Sequence, residues 1–166
     1  MKAVDLLRFQ SEMSKNLTAG LLADMQDEPM AVPTSKGGNH PTWIAGHLAY
    51  SEANLIYHIL LGNSNPLPEW KSLFSIGTEP TDDAASYPSL GDLLAKWDEV
   101  RVHTLETLDS LTDDDLDKPS ANPPEGREQF FDTYAKVLSL VALHPLMHRG
   151  QVADARRAVG REKLVS

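Results

Sequence analysis

The sequence predicts an all-α protein, a four-helix bundle built as one domain. Four long stretches repeat apolar residues every three and four positions, and glycine and proline gather in the segments between them. No stretch alternates apolar and polar residues at strand spacing. At 166 residues and 41% apolar content the chain suits a single domain with its own core.

The first helix spans residues 2–26. Phe9, Met13, Leu17, Leu21 and Met25 recur every four positions, Leu6 extends the stripe, and Gln10, Glu12, Lys15 and Asn16 take the other side. On this pattern Met13 and Met25 fill core space. Residues 27–38 lose the periodicity and carry Pro29, Pro33, Gly37 and Gly38, which marks a connection.

The second helix opens at His40-Pro41, since proline suits a first turn whose N–H groups lack partners anyway. It runs to about Leu61 and stops at Gly62. Its inward stripe is Ile44, His47, Leu48, Ser51, Leu55 and His58, with His58 at the core boundary. Glu52, five positions after His47, is turned off the histidine face. Residues 62–88 form the longest irregular stretch and hold Trp70, Phe74 and Tyr87. A connection of that length crosses over the end of a bundle or covers a site. Such a crossover lets the second and third helices run parallel.

Ser89 caps the third helix, with Asp92 as its acidic partner. Leu90, Leu93, Leu94, Trp97, Val100, Thr104, Leu108 and Leu111 form the buried stripe. Thr112 to Leu116 reads as a short capped turn and residues 117–127 as a second loop. The fourth helix extends from about Glu128 to Val159 and ends at Gly160, so the domain is 1–160 and residues 161–166 form a loosely ordered tail. Pro145 lies inside that helix, where it removes a backbone hydrogen bond and crowds the carbonyl of Val141. Either the helix kinks there or it breaks in two.

The net charge is −9, from 24 acidic and 15 basic residues. That balance argues against nucleic-acid binding, which neutralises phosphates with Lys and Arg. Arg149, Arg156, Arg157, Arg161 and Lys163 are a favourable charge set for a helix C-terminus. No apolar run reaches the roughly 18 residues of a membrane helix. The N-terminus shows no signal-peptide pattern, and the expected location is cytoplasmic. Without cysteine there are no disulfides, thiolate ligands or cysteine nucleophile.

The chemistry gathers in His144-Pro145-Leu146-Met147-His148-Arg149-Gly150-Gln151. The two histidines lie one above the other on a helix face, in the stripe Val137, Val141, His144, His148, Val152. Imidazoles in an apolar interior need partners for their ring nitrogens, either hydrogen bonds or a divalent cation. A third histidine would favour the cation. His47 and His58 are roughly 16 Å apart along their helix at ~1.5 Å per residue, so one ion cannot take both. His40 lies at the helix mouth and His103 at the margin of its stripe. His47 is the best third ligand, beside the small Ala45 and Gly46. Three protein ligands leave a position open, the pattern of a catalytic site. Imidazole ligation suits Zn, Ni, Cu or Fe. The zincin pattern is absent, because no glutamate lies between the paired histidines.

Trp43-Ile44-Ala45-Gly46-His47-Leu48-Ala49, taken with the His-x-x-x-His-Arg-Gly-Gln segment, resembles the DinB/YfiT-like superfamily. The likeness covers nearly the whole chain, including the Trp70 loop, Tyr87-Pro88-Ser89-Leu90 and the Thr112 turn. It implies an up-down-down-up bundle whose metal ligands are His47, His144 and His148. Proline after His144 departs from the commoner family pattern. The resemblance further implies a divalent cation, Zn or Ni first, and a low-molecular-weight thiol such as mycothiol, bacillithiol or glutathione as cosubstrate. The activity expected is a thiol-dependent S-transferase or isomerase acting on a small molecule, in a homodimer. The alternatives are a metal-assisted hydrolase and a non-enzymatic metal-binding stress-response protein. Trp43 and Arg149 are candidate substrate contacts, Trp43 also as core and Arg149 also as a surface charge. Gln151 bonds a buried carbonyl or points at the site.

Overall fold

Helix α2 (Pro41–Ala53) is buried on almost every side, and the other long helices pack around it. The computed structural model describes residues 1–164. Around α2 stand α1 (Ala3–Ala23), α4 (Leu90–Asp109) and α6 (Tyr134–Ala158), with short helices α3 (Lys71–Phe74) and α5 (Glu128–Phe131) in the connections. No strand forms among the described residues beyond one antiparallel bridge, Pro119 with Thr133. No helix is long and apolar enough to cross a membrane.

Side-chain pairings give the helix directions. Thr18 Oγ1 donates to Pro145 O at 3.1 Å and Arg156 meets Asp24 at 2.7 Å, so α1 and α6 run parallel. Arg8 meets Asp109 at 2.7 Å and Lys15 meets Asp98, so α1 and α4 run antiparallel. The His40 and Tyr87 rings lie 5.4 Å apart and those of Tyr57 and His103 4.2 Å apart, so α2 runs alongside α4. These pairings fit the up-down-down-up course, with the 62–88 segment as crossover. Two apolar clusters fill the bundle, one around Ile44, Phe74, Trp97 and Val152, the other around Ile56, Leu108, Val137 and Val141. Along α6, His144 and His148 fall between them.

The helix signals act as expected in several places. Ser89 Oγ accepts the Asp92 N–H at 3.1 Å. Gly62 has φ +76°, the left-handed conformation that ends α2. The Thr112 turn is capped by Asp115, which accepts the Thr112 N–H at 2.7 Å. Pro145 does not break α6, which continues through it to Ala158.

Other expectations need correction. Leu6, Phe9 and Met13 are 43%, 54% and 40% exposed, so the N-terminal half of the first-helix stripe faces solvent and Met13 is not core, while Leu21 of the same stripe is buried. The buried face is Val4, Leu7, Ser11, Ser14, Thr18, Leu21 and Leu22, and Met25 beyond it is buried. Small hydroxyl residues let α1 lie close against its neighbours, and they satisfy part of their own hydrogen bonding (Ser14 Oγ to Ser11 O, 3.1 Å). His58 is exposed. From Asn54 to Leu60 the helix continues in wider π turns, with Leu61 N–H bonding Ile56 O at 3.1 Å. The shift in register gives Ile59 the inward place.

The fourth helix divides at Asp132 and Thr133. There the second loop pairs with it, Ser120 N–H to Asp132 O and Tyr134 N–H to Lys118 O, both 3.0 Å. Backbone groups engaged across the loop are not free for a continuous helix. Of the expected tail, Val165 and Ser166 lie outside the described residues. Arg161 pairs with Asp24 at 3.5 Å and with Asp27, which ties the chain just past α6 to the end of α1.

Candidate metal centre

Two helices deliver three imidazoles to one small volume. His47 comes from α2, His144 and His148 from successive turns of α6, and one ring nitrogen of each lies within 4.8 Å of the others. Because α6 is unbroken at Pro145, the i, i+4 relation survives, with Nε2 of His144 and Nε2 of His148 3.2 Å apart. The ring centroids of His47 lie 5.1 Å and 5.0 Å from those of His144 and His148.

The outer partners settle which nitrogens face inward. His47 Nδ1–H donates to Phe74 O at 2.8 Å, leaving Nε2 with a lone pair. His148 Nδ1–H donates to Gln151 Oε1 at 3.3 Å, which leaves its Nε2 free in the same way. A ligating histidine is characteristically held like this, its other nitrogen bonded to a carbonyl. Gln151 therefore orients a histidine instead of bonding a buried carbonyl.

Burial keeps the three rings neutral. It pushes His47 down to about 4 against the upward pull of the Phe74 carbonyl, and a charged His148 would push it the same way. It pushes His144 down to about 3, with His47 and His148 adding to the effect. His148 is lowered by burial as well, partly offset by its bond to Gln151. Each neutral ring carries one proton. Those of His47 and His148 are directed outward, which leaves His144, its Nε2 3.2 Å from Nε2 of His148, as the one ring able to donate within the group. The donor set fits one divalent cation held by Nε2 of all three.

The crossover supplies the scaffold behind His47. Phe74 is fully buried, and its ring fills the space beside Gly46, where a Cβ would come within 2.2 Å of it. The room left by Gly46 serves this ring, which brings the Phe74 carbonyl to His47. Trp43 stacks on His47 at 4.6 Å with a 9° interplanar angle, and its Nε1–H donates to Leu73 O at 3.0 Å.

On the other side a cavity of about 680 Å³ opens beside His47 and His144. Tyr50 and Ser51 of α2 and Asn54 and Leu55 of the π turns after it line it, the crossover contributes Lys71 and Ile76, and the second loop and α5 contribute Arg127 and Phe131. Trp43 and Arg149 do not line it; Trp43 is packed behind His47, and Arg149 Nε points to Leu17 O at 3.5 Å. His40 caps α2 by accepting the Trp43 N–H at 3.1 Å, and His103 stacks on Tyr57. Neither joins the triad.

No carboxylate joins it either, among the described residues. Glu52 is buried on the far side of α2, where Trp97 Nε1–H, Arg101 Nη2–H and Thr104 Oγ1–H donate to it at 2.8, 2.6 and 2.7 Å. A family model for the DinB superfamily matches residues 10–152, which holds all three histidines. The chain belongs to the DinB superfamily. No curated protein matches it. Membership accords with a histidine group able to hold a metal ion.

The Phe74 carbonyl, the Glu52 cluster and the cleft residues of the two loops were not expected from the sequence. For Glu52 a signal was present, as it is the one carboxylate in a segment, 41–53, with no polar face. A carboxylate there needs a cation from a neighbouring helix.

Proposed function

We propose that this DinB-superfamily protein is a divalent-metal-dependent enzyme that joins a low-molecular-weight thiol to a small electrophile. His47, His144 and His148 would hold the ion, Zn or Ni. The observation that carries the reading is the convergence of three neutral imidazoles at the wall of an open cleft. A divalent cation held there supplies a Lewis acid, able to lower the pKa of a coordinating thiol into the neutral range. The chain's own contribution is orientation. Phe74 O and Gln151 Oε1 hold two of the rings, Trp43 covers the back of His47, and the cleft admits the reactants from one side.

In the transfer the thiol's proton passes to solvent, its sulfur bonds to the electrophilic carbon, and a leaving group departs with its electron pair. In the isomerase variant no group is lost: the thiolate adds to a carbon–carbon double bond, the new single bond rotates, and the same thiolate is expelled as the double bond re-forms. A hydrolase needs a carboxylate base near the triad. Glu52 is committed to Arg101, and Glu125 on the cleft wall is exposed to solvent, so thiol chemistry is the better fit.

The test loads purified protein with Zn or Ni and follows thiol loss against a panel of electrophiles. The reading expects metal-dependent consumption that His148→Ala abolishes. Thiol loss equal with and without metal would end it.

A further inference from the structure

The cleft beside the triad does not stop at its own wall. A second cavity, of about 560 Å³, lies against α5 and the first turns of α6, and it shares Arg127, Phe131 and Leu140 with the first. Its outer wall holds Phe130 and Leu143, which are 61% and 56% exposed. Large apolar side chains grouped at the mouth of a concave surface mark a place where an apolar ligand is covered. The two cavities adjoin along Arg127, Phe131 and Leu140, one reaching His47, His144, Leu55 and Ile59 and the other Leu143.

The charge of this space is opposite to that of the molecule. The chain carries −9, yet the charged side chains on the wall nearest the triad are Lys71, Arg127 and Glu125. None of the ion pairs among the described residues involves Lys71 or Arg127. Lys136 in the second cavity is instead paired with Asp132 at 2.7 Å. Arg127, exposed at the junction of the two cavities, has no ion-pair partner although Glu125 stands on the same wall, and a guanidinium pairs with a carboxylate in a planar fork. In an acidic protein such a spot draws in small anions.

We propose that the cleft binds an amphipathic small acid, a carboxylate with an extended acyl or aryl body. Arg127 takes the carboxylate, and Phe131, Leu140 and Leu143 cover the apolar body. This names the substrate class of the reaction proposed above and rests on that reading only for the reacting end, which faces the triad.

Binding is tested by calorimetry on metal-free protein, with butanoate, hexanoate and octanoate as probes and octanamide as the uncharged match for the last. Affinity should rise roughly three- to fourfold per added methylene, and octanoate should bind at least tenfold more tightly than octanamide. Arg127→Gln should remove that preference while leaving octanamide binding unchanged. Lys36→Gln, an exposed cation on another loop, should leave both within twofold. Equal affinity for octanoate and octanamide, or a preference that survives Arg127→Gln, would overturn the proposal. Metal content is measured separately, so a protein that takes up no ion yet shows the Arg127-dependent preference loses the metalloenzyme reading and keeps the cleft.

Discussion

Two polar groups lie about one turn apart on α2 and face opposite ways. Glu52 is closed in, with both carboxylate oxygens accepting hydrogen bonds from α4. His47 is completed on one side by Phe74 O, while its Nε2, with only Ser51 Oγ at 3.5 Å, faces two more imidazoles and an open cleft. The first arrangement satisfies its acid within the fold. The second stops short of doing so, and its unfinished side is where chemistry has room. A buried charge cluster and a buried metal site share burial and polarity; the difference is whether the lone pairs already have protons to accept.

The largest expected effect breaks the closed side. Glu52→Ala strands the Arg101 guanidinium in the core and should lower stability by about 3–5 kcal/mol, read by chemical denaturation, with metal stoichiometry unchanged. Loss of metal uptake by a folded Glu52→Ala protein would mean the two groups are one unit. Gly46→Ala strikes the open side from behind. Its methyl group meets the Phe74 ring, so about 1–3 kcal/mol of stability should go and metal affinity should fall roughly 10–100-fold as the carbonyl brace loosens. Unaltered affinity would remove Phe74 O from the account.

A third effect is the pH dependence of the metal-free protein. His47 and His144 are pushed down to about 4 and about 3, below the roughly 6.5 of an unfolded histidine. The unfolded chain therefore takes up protons that the folded chain refuses, and stability falls as pH drops from about 6.5 towards 4. The loss should be about 2–3 kcal/mol for each of the two rings, and His47→Gln/His144→Gln protein should lose both contributions. A flat melting temperature over that range would contradict the burial of neutral rings. Smallest of all, Phe9→Ser on the exposed face of α1 should change stability by less than about 0.5 kcal/mol. A drop of several kcal/mol would restore Phe9 to a buried interface.

The long helices and the His144–His148 pair were legible in the sequence because each rests on local spacing, while His47 came from comparing the remaining histidines and from the family resemblance. Ser89 with Asp92, Gly62 and the His144–His148 pair act within one or two turns of chain, where periodicity fixes geometry. The buried face of α1 was not legible. Its large residues recur every four positions, while the face that packs carries Ser11, Ser14 and Thr18, chosen by how closely α1 approaches its neighbours. The groups that brace the triad were hidden for a related reason. Phe74 O is a backbone atom from a loop 27 residues away, and no side-chain pattern marks a carbonyl. The cleft likewise joins Lys71, Arg127 and Leu140 from three separate segments.

The central claim is that His47, His144 and His148 together hold one divalent ion. Elemental analysis of purified, reconstituted protein tests it most directly, beside His47→Ala and His148→Ala. The account predicts about one ion per chain in the parent and close to none in either variant, with both variants still folded. A parent chain that stays metal-free, or variants that retain a full complement, would contradict it.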